Sequence, residues 1–233
     1  MCVGCGIMNK VSKLLIVLLG SSVSILAYGL EVSPANFGTF TADFVEKLSF
    51  PKIDDGSPLT VKCAARISAR GKFDSIVCFD DPGFKGERRI SRSAGAAIAK
   101  IARNSRIFPA RVDGRRVQVW YNFSVLYRHQ GGEETIQIID NHLRNQADYG
   151  TNYIAAQRYN ARTRVCSGLR SAVIIRAAIS ESGEVADVSP LQENPSEANC
   201  TRKIIQAMEG SAYIPAYYEG DAVASTYIEI FVE

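Results

Sequence analysis

Histidine is almost missing from this chain: His129 and His142 are the only two in 233 residues. Neither stands in a metal-binding or general-base spacing, and both are expected at the surface. Cys2 and Cys5 form a CxxC, but no second pair completes a zinc-type set. A Gly-rich phosphate loop and a G-x-S-x-G elbow are absent. The adjacent carboxylates Asp54-Asp55 and Asp80-Asp81 lie in turn-forming stretches, where turn chemistry accounts for them. These absences argue against an enzyme, and no catalytic residue, metal or cofactor is expected. Low-complexity tracts are missing as well, so the composition is that of an ordinary globular chain.

Long apolar runs are limited to the N-terminus. Lys10 and Lys13 precede Leu14–Leu19 and Val23–Leu26, and Ala27-Tyr28-Gly29 supplies small residues before a cut. Residues 1–29 therefore read as a signal peptide. The run is near the lower limit of about 17 residues for a spanning helix and is diluted by Gly20, Ser21, Ser22 and Ser24. An uncleaved membrane anchor is the alternative. The remaining length, about 200 residues, has room for two small domains rather than one large one.

What the chain does have is an internal repeat. Ser105-Arg106-Ile107-Phe108-Pro109-Ala110, with Asp113-Gly114 and Val117, is matched by Ser211-Ala212-Tyr213-Ile214-Pro215-Ala216, with Glu219-Gly220 and Val223. Upstream, Ile67-Ser68-Ala69-Arg70-Gly71 answers Ile179-Ser180-Glu181-Ser182-Gly183, and an alanine-rich helical stretch lies between the landmarks in both copies. Leu59–Ile67 alternates, with Val61, Cys63, Ala65 and Ile67 on one face, and reads as a half-buried strand paired to Phe73–Phe79. Ala94, Ile98, Ile101 and Ala102 form a helical stripe, matched by Cys200, Ile204, Ala207 and Met208. Proline disfavours helix in the residue before it, so the x-Pro-Ala segment ends each helix. Val117–Tyr127 and Val223–Val232 are expected as closing strands.

The expected fold class is α+β: two tandem small modules, each an antiparallel sheet in the order strand-strand-helix-strand with one helix packed on it. The boundaries are a linker at 30–58, module 1 at 59–128, a connector at 129–165 and module 2 at 166–233. Within the connector, Glu133–Gln146 reads as a polar helix with Ile136, Ile139 and Leu143 as its narrow stripe. Asp148–Thr163 has no clear period.

Counting outward from a four-residue loop at Ala69–Lys72 sets Cys63 opposite Cys78, within disulfide reach on antiparallel strands. The matching positions in the second repeat are Ile175 and Pro190, and its cysteines sit elsewhere. Cys63–Cys78 and Cys166–Cys200 are therefore the expected disulfides, as suits an exported chain. Net charge is only +3, but Lys and Arg far outnumber acids from Leu59 to Arg128, whereas ten acids face four basic residues from Cys166 to Glu233. Two solvated surfaces, attraction between the modules and an anionic partner all fit this asymmetry.

A hairpin with glycine at the turn, an alanine and aliphatic helix, x-Pro-Ala, an acidic-Gly turn and a valine-led last strand together resemble the TonB C-terminal domain family. The order and spacing, met twice, carry the resemblance. It implies a periplasmic protein-binding or scaffold protein that adds an extended segment of a partner to a sheet edge. The partner would be an envelope protein or peptide, such as part of an outer-membrane transporter, with no nucleic acid and no membrane contact beyond an uncleaved N-terminus. The implied edge is the last strand of module 2, with Tyr227, Ile228, Glu229, Ile230 and Phe231. Two other readings remain open. One is a TonB-type energy transducer with an uncleaved anchor; the other is an exported enzyme inhibitor or an enzyme on an unrecognised template. Against the transducer, Leu14–Leu26 offers only serines as polar groups. Residues 30–58 hold three prolines and would reach only about 100 Å when fully stretched.

Overall fold

A computed structural model describes residues 31–79, 86–159, 161, 166, 169–191 and 195–231. The segment expected to be a signal peptide lies outside the described residues. The chain is α+β, with four antiparallel sheets and four α-helices among the described residues. In order they are β1 (Val32–Ser33), α1 (Thr41–Glu46), β2 (Leu59–Ile67), β3 (Phe73–Phe79), α2 (Arg88–Arg103), β4 (Arg111–Val112), β5 (Arg115–Arg116), β6 (Val119–Gln130) and β7 (Glu133–Ile139). There follow α3 (Gln146–Tyr149), β8 (Tyr153–Ile154), β9 (Gln157–Tyr159), β10 (Val173–Ile179), β11 (Val185–Pro190), α4 (Ala198–Glu209), β12 (Ala212–Ile214), β13 (Ala216–Tyr218), β14 (Asp221–Val223) and β15 (Ser225–Phe231).

The largest sheet runs β12-β9-β6-β2-β3, with β7 also paired to β6. Every second residue of β2 from Leu59 to Ile67 is buried, as the alternation requires. On the covered face these residues meet Ile98 and Ala102 of α2 and Phe123 and Val125 of β6 in one hydrophobic cluster. The stretch expected as a linker joins the same cluster: Ala35, Phe37, Phe44, Leu48 and Ile53 are all buried in it. A three-stranded sheet, β11-β10-β15, carries α4 and a second cluster containing Ile175, Ala177, Ile204, Met208 and Tyr227. Fully burying an aliphatic side chain of this size stabilises by roughly 1.5–3 kcal/mol, so each helix is held mainly by its packed stripe.

The hairpin registers fall where outward counting places them. Cys63 pairs with Cys78 and Ile175 with Pro190, although a bulge shifts the pairing near each turn. Both expected disulfides are present, Cys63–Cys78 and Cys166–Cys200, with Cα atoms 4.0 and 5.8 Å apart. They suggest an oxidising, extracytoplasmic location. No described helix is long and apolar enough to cross a membrane.

One expected element is corrected. Glu133–Gln146 is not a helix: Glu133–Ile139 is β7, paired with β6 from Ser124 to Gln130. Gly131 and Gly132 take φ of +61° and +82°, the two-residue turn that returns a strand on its neighbour. Once that turn forms, the β6 ladder offers partners for the backbone of the stretch, which an isolated polar helix with a narrow stripe cannot match. Ile136-Gln137-Ile138, following Gly-Gly, was the period-two signal.

Two glycines are irreplaceable for a steric reason. A Cβ on Gly71 would lie within van der Waals overlap of Ile107 O, and one on Gly183 would overlap Tyr213 O in the same way; their φ values are +74° and +82°. Each hairpin turn is therefore pressed against the backbone just before an x-Pro-Ala segment. Gly71→Ala and Gly183→Ala should each destabilise the fold by more than about 1 kcal/mol, from overlap and positive φ together. Denaturant unfolding of the two single variants checks this, and either one retaining wild-type stability would contradict the close approach.

Candidate functional site

The expected binding strand, β15, pairs with β10 from Val173↔Phe231 to Ile179↔Ser225. Leu191 N–H donates to Ile174 O on the β11 side (2.8 Å), so by alternation the even-numbered residues of β10 face β11. The backbone groups of Thr226, Ile228 and Ile230 consequently point away from β10. Ile228 and Ile230 share one orientation, two residues apart, and Tyr227 and Glu229 point the other way along the ladder.

Among the described residues no strand takes up the outward groups of Thr226 and Ile228; carboxamide side chains take both groups of Thr226 and the carbonyl of Ile228. Asn145 Nδ2 donates to Thr226 O (3.5 Å) and Asn145 Oδ1 accepts from Thr226 N–H (3.3 Å). That double exchange is what a residue of a neighbouring strand would supply. Asn122 Nδ2, from the face of β6 away from α2, donates to Ile228 O at 2.6 Å. The edge is thus seated against the first sheet.

Tyr227 and Glu229, expected on a partner-binding edge, turn their side chains inward and are buried. Glu229 forms a bidentate pair with Arg158 of β9: Nε to Oε2 at 2.8 Å and Nη2 to Oε1 at 2.5 Å. Tyr227 donates its hydroxyl to Glu229 Oε2 (2.7 Å), and Arg158 Nη1 donates to Ser211 Oγ (3.3 Å). Burial works against the charge of Arg158, but Glu229 beside it outweighs that and raises the guanidinium above its ordinary value. Burial and then Glu229 push the Tyr227 phenol up, so it stays a donor. Ile228, Ile230 and Phe231 are half-buried.

The loop Asp140–Asn145 is the polar hub beneath this strand. Asn141 Nδ2 donates to Thr151 O and Tyr153 O, and Ser124 Oγ donates to Asn141 O (2.7 Å). Tyr121 OH is hydrogen-bonded to the Asp140 carboxylate. Burial raises the pKa of Asp140, against the opposing hydrogen bonds from the Tyr121 hydroxyl and the Phe37 backbone. His142, expected at the surface, is buried, with Nε2 2.8 Å from Cys63 O. The next residue, Leu143, takes a positive φ of +60°. Nothing local marks His142 or Arg158 as buried; their partners lie 79 and 71 residues away.

Among the described residues no group of three or more His, Cys, Asp or Glu could hold a metal ion. No protein-family model, curated protein or solved structure matches the chain.

Two predictions follow from these buried polar groups. Burial lowers the pKa of His142 from 6.5 to about 4. A depressed histidine pKa means the fold prefers the neutral ring, so this stability is complete above pH 6.5 and declines as pH falls towards 4. The loss should reach about 3 kcal/mol below pH 4. His142→Gln, compared with wild type by denaturant unfolding from pH 7.5 to 4, should remove that component; parallel curves would contradict it. Removing one partner of the ion pair, as in Glu229→Ala, should cost about 3–5 kcal/mol, because Arg158 is left charged and dry. Arg158→Met with Glu229→Leu should cost much less than either single truncation, as a double-mutant cycle would show.

Proposed function

We propose that the chain is a periplasmic binding or scaffold protein built of two tandem TonB-like modules, 59–128 and 166–233. On this reading it engages an extended segment of an envelope protein along the edge of β15. The tandem arrangement is supported by geometry that recurs at matched positions. Ser68 N–H bonds Lys72 O and Ser180 N–H bonds Glu184 O, both at 2.9 Å. Ser105 Oγ bonds Ile101 O and Ser211 Oγ bonds Ala207 O, closing α2 and α4 alike. Asp113-Gly114 and Glu219-Gly220 both take positive φ in two-residue turns. The pairing extends upstream: β1 pairs with β4, and β8 pairs with β13.

The observation that carries the function is that, among the described residues, side-chain amides and not a strand take both groups of Thr226 and the carbonyl of Ile228. Asn145 holds the place of a peptide group at Thr226 and Asn122 takes the carbonyl of Ile228, and an incoming strand would replace these bonds. Asn122 and Asn145 are buried, so such exchange requires β15 to part from the first sheet, and the new ladder has to offset that separation. A binding role rather than an enzymatic one fits an edge of this kind, where backbone recognition needs no titratable constellation. Periplasmic residence fits the disulfides.

A photo-crosslinking residue at Ile230, introduced into the exported protein, should form an adduct with one envelope protein. Ile230→Pro should keep the fold, since its N–H points away from β10, and lose that capture. If Ile230→Pro captures the same adduct partner as wild type, with the crosslinker moved to Phe231, β15 is not the binding edge.

A further inference from the structure

Among the described residues a second sheet edge, on the other side of the first sheet, has no strand on its outer side. Among the described residues β3 pairs with β2 alone. Ser68 N–H donates to Lys72 O at the turn, so by the period of two the even-numbered residues of β2 face β3. With the register Ala64↔Val77 and Lys62↔Phe79, the backbone groups of Ile76 and Cys78 point outward. The matching edge in the second sheet is β11, where Pro190 stands opposite Ile175 as Cys78 stands opposite Cys63. Proline removes the outward donor there, a common way of blunting an edge. At Cys78 that donor is kept. Val77 on the same strand is 42% exposed, which adds to an edge with little protection against a pairing strand.

Alongside this edge runs a groove of about 240 Å³ between β3 and α2, lined by Cys78, Phe79, Arg92, Gly95, Ala96 and Ala99. The helix side is small for a reason of contact: a Cβ on Gly95 would already lie 3.3 Å from Cys78 Cβ. A strand added to β3 would drop alternate side chains into this groove. The charge of the wall is one-sided. Arg88, Arg92, Ala96, Ala99 and Arg103 follow each other at helical spacings of three and four, so the arginines flank the small residues on one stripe. α2 itself carries five exposed basic residues, Arg88, Arg89, Arg92, Lys100 and Arg103, and no acid, with Glu87 immediately before it.

We propose that the groove between β3 and α2 is a docking site for an acidic extended segment of another protein, paired to β3 at Ile76 and Cys78. Apolar residues of that segment would alternate with acids, the apolar ones lying on Gly95, Ala96 and Ala99 and the acids near the arginine stripe. This site is separate from β15 and stands whether or not β15 binds a partner.

The test uses the purified full chain with both disulfides intact and a fluorescent peptide, Glu-Val-Glu-Val-Glu-Val-Glu, read by anisotropy. Saturable binding is expected, weakened by salt, with the lysine counterpart bound about tenfold or more weakly. Two N-methylated versions distinguish a ladder from mere charge: methylation of one alternate set of amides should abolish binding, and methylation of the other should not. Ala96→Trp, at an exposed lip of the groove, should also abolish it; Arg88→Glu with Arg103→Glu gives a second, surface-only variant. Equal binding of both methylated peptides would overturn the proposal, because charge alone would then explain capture. So would binding undiminished in both variants, or capture of anionic lipid vesicles with no saturable binding of the peptide.

Discussion

A β-strand that ends a sheet leaves a row of N–H and C=O groups that need partners, and the closure of such edges shapes this protein. On one side of β6 the closure is by strands of the same chain, β7 along the far half and β9 at Val119. On β15 it is by the carboxamides of Asn145 and Asn122. The same device recurs at Ala35, whose N–H and C=O are both taken by the Gln157 side chain at 2.8 and 2.7 Å. A carboxamide carries a donor and an acceptor at the spacing of a peptide group, so it can end a ladder without adding another edge. Where β15 meets the face of the first sheet, the chain uses Asn; where the irregular segment at Ala35 meets β9, it uses Gln.

This arrangement makes the junction polar and buried, which has an energetic consequence. Arg158, Glu229, Asn122 and Gln157 are all buried, and each has a partner more than 70 residues away in sequence. Hydrogen bonds of this kind add only about 1 kcal/mol each when intact, while an orphaned buried group costs about 1–3 kcal/mol. The junction therefore gains little from any single contact and loses much when one partner is removed. That asymmetry favours an all-or-none seating of β15 against the first sheet, with its register fixed by where the donors and acceptors stand.

The local grammar of the fold was legible. Period-two alternation placed β2, outward counting gave the Cys63–Cys78 register, and the serine and acidic-Gly landmarks marked where α2 and α4 stop and the next hairpin turns. The exception, β7, was misread because Ile136 and Ile139 fit a helical spacing as well as a strand. Gly131-Gly132 was the deciding cue. The junction was not legible for a different reason. A buried Arg158 or His142 looks like any surface residue until its partner, more than 70 residues away, is known. The candidate strand β15 could be placed from sequence, but which of its residues turn inward depends on the parity of its pairing with β10.

The two hairpins show which features a fold of this kind must keep and which it can vary. Gly71 and Gly183 meet the backbone in the same way, and Pro109 and Pro215 each lie 3.5 Å from the position a glycine Cβ would take. These contacts involve backbone, so side-chain change elsewhere leaves them intact. The edges are different. At the matched outward position one hairpin has Cys78, with its N–H available to a ladder, and the other has Pro190, with none. At the matched place in the last strands one has Asn122 and the other Ile228, and the first now donates to the backbone of the second. Asn122 thus seats β15 from the face of β6 away from α2, and neither the turns nor the helices take part in that contact, which lies on the face and edge that the hairpin core leaves unspecified.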